Sequence, residues 1–395
     1  MIKHGFLIKL LALFLSLSCI SAKGFAAGTF AEELNFIRQF DSPIVLKSQD
    51  QQSQIVLSAQ HQGRVLTSTA RGPKGHSNAW LDRVAIKNKQ GNVGGEDRTW
   101  IAPIGSRFSL YYPPGKTITN ENWRVPPALQ TRDYTVISHN ETSAHFQQKL
   151  NLVNHQNTHF SAQLDRKIRL LDSRQISQSL NITIPKTVDL VGYNSFNSLT
   201  NIGKDWNTET GLITIWSMAM LQGSNDSISI FPIKPEQGTV QSYLYPLNSD
   251  RLVSKEHLVF YKTDGKYRSK IGIPADISKN LMLCYTPTLN RLTVIQFTLD
   301  PAATYPNSME SADTSLFKGD VTNAYNHGNM DGSLLGQSAF FELESAAPML
   351  ALKTNESVTH THQVMHFVGT NIQLDSISQQ LIGINVSDSN AIFRK

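Results

Sequence analysis

Phe160-Ser161-Ala162-Gln163-Leu164-Asp165 decides the fold class. Apolar side chains at Phe160, Ala162 and Leu164 alternate with polar ones at Ser161, Gln163 and Asp165. A period of two predicts a β-strand with one face buried and the other wet. Outward from this segment, runs rich in Val, Ile, Thr, Tyr and Phe recur at 54–59, 64–69, 108–112, 134–138, 145–152, 160–171, 175–184, 188–193, 212–221, 228–231, 257–261, 292–299, 339–344, 359–367 and 382–386. Gly, Pro, Asn or Asp clusters separate them. So many strands cannot lie in one flat sheet without curling or splitting, so an all-β chain is expected, folded as a large antiparallel sandwich of two stacked sheets. No linker rich in Gly, Ser or Pro cuts the series, and 28–395 is expected to form one domain. It should begin with a short amphipathic helix over 29–40: Thr29 can cap it, Glu32 and Glu33 suit the first turn, and Phe30, Leu34, Ile37 and Phe40 share a face. No second helix is expected.

The start of the 395-residue chain has a different character. Lys3 and Lys9 precede a leucine-rich run over 10–17, followed by small residues at Ser18, Ser21, Ala22, Ala26 and Ala27. This is the pattern of a secretory signal peptide over 1–22, with cleavage as late as 27. The apolar run is too short to span a bilayer as a helix. Export to the periplasm or cell envelope is therefore expected. The alternative is a lipid anchor on Cys19, although Ser16 stands where a bacterial lipobox usually carries Leu. Without Cys19, Cys284 is the remaining thiol, so no intrachain disulfide is available. The formal net charge of +5 is spread without a basic block, which argues against a nucleic-acid partner.

The chemistry-bearing residues concentrate late in the chain. In Phe340-Phe341-Glu342-Leu343-Glu344-Ser345 the two carboxylates share one strand face, with Phe341 and Leu343 on the other. Two residues apart on a strand they lie about 6–7 Å from each other, close enough for repulsion to raise one pKa. Downstream, His360, His362 and His366 also share a face. Ionisable groups on aromatic-flanked strands are costly to bury unless something binds or pairs with them. Imidazoles with a Glu are zinc-type ligands. However, His360 and His366 are about 20 Å apart at strand rise, so no metal or other cofactor is expected.

Polar glycine-containing segments are expected between the strands. Gly94-Gly95-Glu96-Asp97-Arg98-Thr99-Trp100 combines carboxylates and a guanidinium, which can grip hydroxyls, with an indole that can cover a sugar ring. An ion pair holding a long connection is the alternative. The segment from Gly192 through Asn194 and Asn197 to Asn201, and the segment from Gly319 through Asp320, Asn323, Tyr325 and Asn326 to Gly328, could line a pocket or build loops. Lys262-Thr263-Asp264-Gly265-Lys266 reads as a hairpin turn. No phosphate loop, dinucleotide fingerprint, nucleophile elbow or zinc-protease motif occurs, which sets nucleotide and flavin enzymes aside.

Taken in order, the segments from Gly63 to Ala70, Gly94 to Trp100, Gly319 to Asn326, and Phe341 to Ser345 with its histidines resemble an uncharacterised family of exported bacterial proteins. That family has the galactose-mutarotase-like β-supersandwich fold, and the resemblance runs from about 40 to about 374. It implies a carbohydrate site on a concave sheet face. In sugar mutarotases of this superfamily, a Glu near the C-terminus takes the anomeric hydroxyl proton and a His protonates the ring oxygen. On that resemblance Glu344 is the first choice of base and Glu342 the second. The mid-chain His that such enzymes carry beside an Asn-Leu pair is missing from 194–201, and His362 or His366 is expected to replace it. Substrate contacts are expected from Glu96, Arg98, Trp100, Asn197, Asp320, Asn323 and Asn326. The reading is thus a carbohydrate-active or carbohydrate-binding envelope protein, with epimerase-like acid–base chemistry as its enzymatic form. The alternatives are a glycan-binding module without turnover and a structural envelope protein.

Overall fold

A computed structural model describes residues 28–130, 134–235, 238–306 and 316–393. The expected leader and Cys19 lie outside them. The expected first helix is present as α1 (Phe30–Ile37), with Thr29 and Glu32 forming a reciprocal cap.

Among the described residues the strands form three antiparallel sheets. The first holds β1 (Ile44–Lys47), β2 (Gln54–Ser58) and β3 (Arg64–Thr69). Next, β4 (Arg98–Ala102) enters a six-stranded sheet. A ten-stranded sheet then begins with β5 (Thr135–His139), β6 (Ser143–Val153), β7 (His159–Leu171) and β8 (Asp189–Asn201). From there the chain shuttles between the two large sheets. β9 (Thr214–Gln222), β11 (Gln241–Leu244), β14 (Ser269–Pro274), β17 (Asp320–Asn326) and β18 (Phe340–Ala346) join the six-stranded one. β10 (Ile228–Pro232), β12 (Leu252–Lys255), β13 (Leu258–Lys262), β15 (Leu281–Thr286), β16 (Arg291–Phe297) and β19 (Ser357–Val368) join the ten-stranded one. Across the sheets the orders are β11-β14-β17-β18-β9-β4 and β12-β13-β10-β15-β16-β19-β8-β7-β6-β5.

The two large sheets stack as the expected sandwich, and their facing sides share one core that includes Phe341, Leu343, Ile215, Leu164 and Val364. The small third sheet is an addition to the two-sheet expectation. It is buried on both faces because Ile55, Leu57 and Val65 join that core, while Val56 and Leu66 pack with Phe30, Leu34 and Ile37 of α1.

Several local expectations are corrected. The run 175–184 is not a strand: α3 (Ser173–Leu180) starts at the reciprocal cap of Asp172 and Gln175, buries Ile176 and Leu180 one turn apart, and stops at Asn181 with φ +54°. The run 382–386 is not a strand: α4 (Asn371–Ile382), capped by Thr370 with Gln373, ends at its first residue, Gly383 closes that helix, and Val386 begins a 3-10 helix. With α2 (Arg83–Lys87), a short helix, the described residues therefore hold more than one helix. Helices α3 and α4 cover the outer face of the ten-stranded sheet, packing with Met365, Phe367 and Leu292. A Cβ at Gly192 would meet Ile176 Cδ1 at 2.7 Å, so this glycine is what lets α3 lie so close. The run 108–112 is bent rather than extended. Residues 262–266 make no hairpin, since β13 and β14 lie in different sheets; the Asp-Gly pair turns a crossover instead.

Candidate functional site

The outer face of the six-stranded sheet is open where the outer face of its partner is covered. Strand pairing lays its side chains out in rows. One row runs Tyr243, Lys270, Tyr325, Glu342, Met220, and the next runs Gly272, Asn323, Glu344, Met218, Arg98. Trp216 and Trp100 pair beyond them. Because residues directly opposite share a face, one side of the sheet collects two carboxylates, two cations and several aromatics. Above it lies a cleft of about 600 Å³.

Each carboxylate on the floor is held by a cation. Arg98 Nη2 donates to Glu342 Oε1 at 2.8 Å, Arg98 Nη1 to Asn92 Oδ1 at 2.7 Å, and the guanidinium lies 4.0 Å above the Trp100 ring. Lys270 Nζ and Trp216 Nε1 both donate to Glu344 Oε2 at 2.9 Å. The other oxygen, Glu344 Oε1, is buried with no hydrogen-bond partner among the described residues. Burial raises the pKa of Glu342; Arg98 opposes the rise and the charge of Glu344 adds to it. Trp123, stacked on Tyr111 at 5.7 Å, adds a third indole from the long connection after β4. His327 stacks on Phe340 at 4.5 Å, and its Nδ1 lies 3.2 Å from the Tyr325 hydroxyl. Burial, followed by the neighbouring Arg268, lowers its pKa. Burial next to Glu342 pushes Tyr325 up to about 12.

Of the residues singled out in the sequence, Glu342, Glu344, Arg98, Trp100 and Tyr325 line this cleft. Asp320 and Asn323 line a small adjoining cavity that shares Trp216 with it. Asp320 accepts from the hydroxyl of Tyr243 at 2.6 Å, and burial raises it to about 6. Asn326 binds Gly265 N, Asp264 and Tyr267 O, so it fastens the 264–267 crossover and does not line the cleft.

The remainder lie behind the sheet. Ser345, whose side chain leaves the strand opposite to Glu344, meets His360 Nε2 at 2.7 Å and His362 Nδ1 at 2.8 Å in the sandwich interior. His366 Nε2 lies 3.0 Å from Glu96 Oε2, and its Nδ1 lies 2.9 Å from Thr293 Oγ1. Ser68 donates to Glu96 at 2.7 Å. Asn197 is bound to Thr99 and Ser195, and Arg166 Nη2 lies 3.4 Å from Asp97. The placement of Glu96, Asn197, His362 and His366 in a ligand site is therefore corrected: they form a sealed polar layer between the sheets. Nor do the polar segments lie between strands, since 98–102, 189–201 and 320–326 are strands. Among the described residues no three His, Cys, Asp or Glu side chains are grouped to hold a metal ion.

Sequence reasoning missed Lys270, Trp216, Tyr243, Arg268 and His327. The signal for Lys270 was present in Ser269-Lys270-Ile271-Gly272-Ile273, where Ile271 and Ile273 alternate with Lys270 and Gly272. For Trp216 it was the parity of a recognised strand.

The sequence model of a family of unknown function, DUF6786, matches residues 28–393. No curated protein matches the chain in sequence. In structure the chain is similar to a candidate aldose 1-epimerase of Escherichia coli K12, at 11% identity and TM-score 0.49 over 82% of this chain and 98% of that one. It is also similar to a galactose mutarotase-like protein from Lactobacillus casei, at 10% identity and TM-score 0.49 over 82% and 100%. The Slr1438 protein of Synechocystis sp. PCC 6803 shows 11% identity and TM-score 0.49 over 83% and 96%.

Proposed function

We propose, for a chain that belongs to this family of unknown function, that the cleft over the six-stranded sheet binds a carbohydrate and that Glu344 is its proton acceptor. The observation that carries this is the floor itself: two carboxylates, each fixed by a cation, on a sheet face that also carries the indoles of Trp100 and Trp216, with Trp123 lining the same cleft. Hydroxyls need fixed acceptors and donors, and the apolar face of a sugar ring needs a flat aromatic surface.

In the catalytic form of this reading, Glu344 Oε1 takes the proton of an anomeric hydroxyl. The carbonyl forms as the bond from the anomeric carbon to the ring oxygen breaks, and an acid protonates that oxygen; closure on the other face reverses the steps. His362 and His366 lie behind the sheet and do not supply that acid. A second reading, binding without turnover, is favoured by the fact that both carboxylates already carry an ion pair.

A glycan array on wild type and Glu344→Gln, followed by product analysis on any hit, separates the two. Turnover abolished by the substitution supports the enzyme, and binding without turnover supports the module. Absence of any bound glycan overturns both. Export is proposed on the leader alone, and intact-mass analysis of native protein tests it: a mass retaining Met1 overturns it.

A further inference from the structure

The cleft holds one charge that its floor does not use. Arg98 and Lys270 are each committed to a carboxylate, at 2.8 and 2.9 Å. Arg268 lines the same cleft and forms no ion pair among the described residues. Its charge acts on the neighbouring Tyr325 hydroxyl, and its Nε has no partner. Its neighbour His327 is held towards the neutral form. Within the lining of the cleft itself three cations thus stand against two carboxylates that are neutralised where they sit; Asp320, which acts on Lys270 from the adjoining cavity, is held by Tyr243.

The position of Arg268 is fixed. It follows the crossover that Asn326 clasps through Tyr267 O at 3.0 Å and precedes Ser269, whose hydroxyl donates to Tyr267 O at 3.1 Å. A guanidinium presents paired N–H donors that match a planar carboxylate or a phosphate-like oxyanion. In a partly enclosed cleft an unbalanced cation attracts an anion more strongly than it would on open surface.

We propose that the ligand of this cleft is an acidic saccharide, its oxyanion substituent paired with Arg268 while its ring lies over the carboxylate floor. The inference rests on the carbohydrate reading above and names the substrate class within it. Carboxylate, sulfate and phosphate share the chemistry Arg268 recognises, so the test carries an arm for each.

The experiment is titration calorimetry of wild type, Arg268→Gln and Arg268→Lys with glucuronic acid, glucose 6-sulfate, glucose 6-phosphate and glucose, at low and physiological salt. Wild type should bind at least one acidic probe about tenfold or more tightly than glucose, and that probe identifies the substituent. A charge-assisted hydrogen bond of ordinary strength sets the expected loss of this preference in Arg268→Gln at about ten- to hundred-fold. Arg268→Lys should retain part of it, and salt should weaken it. Equal affinity for glucose and every acidic probe, or a preference untouched by Arg268→Gln, overturns the acidic ligand and leaves the carbohydrate reading standing. No binding of any probe, together with a blank glycan array, overturns both.

Discussion

The outer face of the six-stranded sheet and the layer behind it carry nearly the same chemistry to different ends. On the outer face Arg98 meets Glu342 and Lys270 meets Glu344 beneath a cleft of about 600 Å³. Behind it, in the layer between the sheets, Arg166 meets Asp97 and His366 meets Glu96 in packed protein, with side chains fully buried. Asp97, the residue before β4, and Arg98, its first residue, are consecutive and point to opposite sides of the layer. Composition does not distinguish a site from a structural polar layer here; access does.

That contrast breaks first if the inner layer proves dispensable. Arg166→Met should leave Asp97 buried without its cation and cost about 3–5 kcal/mol in urea unfolding. A loss below 1 kcal/mol would mean the inner layer does not hold the sandwich together. On the outer face, Glu344→Gln should lower any sugar turnover by about 10²–10⁴-fold, the usual worth of a positioned base. Turnover unchanged in that variant would remove Glu344 from the chemistry.

The histidines of the inner layer offer a pH test. Burial pushes His360 and His362 down to about 3 from 6.5. Below pH 6.5 the unfolded chain therefore takes up protons that the folded chain refuses. Stability is full above about 6.5 and is lost as pH falls towards about 3, by about 1.4 kcal/mol per pH unit for each histidine. Asp320, raised from 3.8 to about 6, works in the opposite sense: its contribution is present below 3.8 and lost as pH rises to about 6. His362→Asn should therefore lose about 2.7 kcal/mol less than wild type between pH 6.5 and 4.5. Equal losses in urea unfolding would show that His362 titrates normally. The smallest effect is expected at a third setting of the same ion-pair chemistry, Arg71 with Asp189, whose side chains are 50% and 47% exposed. Arg71→Ala should change stability by about 0.5 kcal/mol or less, and a cost above 2 kcal/mol would blur the distinction between open and sealed pairs.

Alternation at Phe160–Asp165 and the parity of Glu342 and Glu344 were legible in the sequence because a strand's period of two is a local property. Which sheet a strand joins is not local. His362 and Glu344 share a polar character and nearness in sequence, but β19 and β18 belong to different sheets, so their side chains meet opposite sides of one layer. Lys270 was passed over because Gly272 and Pro274 dilute the β signal of its strand. The helix at 173–180 was hidden by apolar residues that suit either period, although Asp172 and Gln175 spelled its cap.

The order of strands across the sheets also bears on when the protein can fold. β18 sits between β17 and β9, and β19 sits between β16 and β8, so both sheets draw a central strand from the last stretch of the chain. Until Val368 has been made, β8 and β9 each lack a neighbour that the finished sheet provides. The long sequence separations of these pairings slow folding, and the open edges invite pairing with other chains in the interval. Assembly of the cleft floor is therefore a late event, completed only after nearly the whole polypeptide is available, and partial chains should be insoluble rather than partly active.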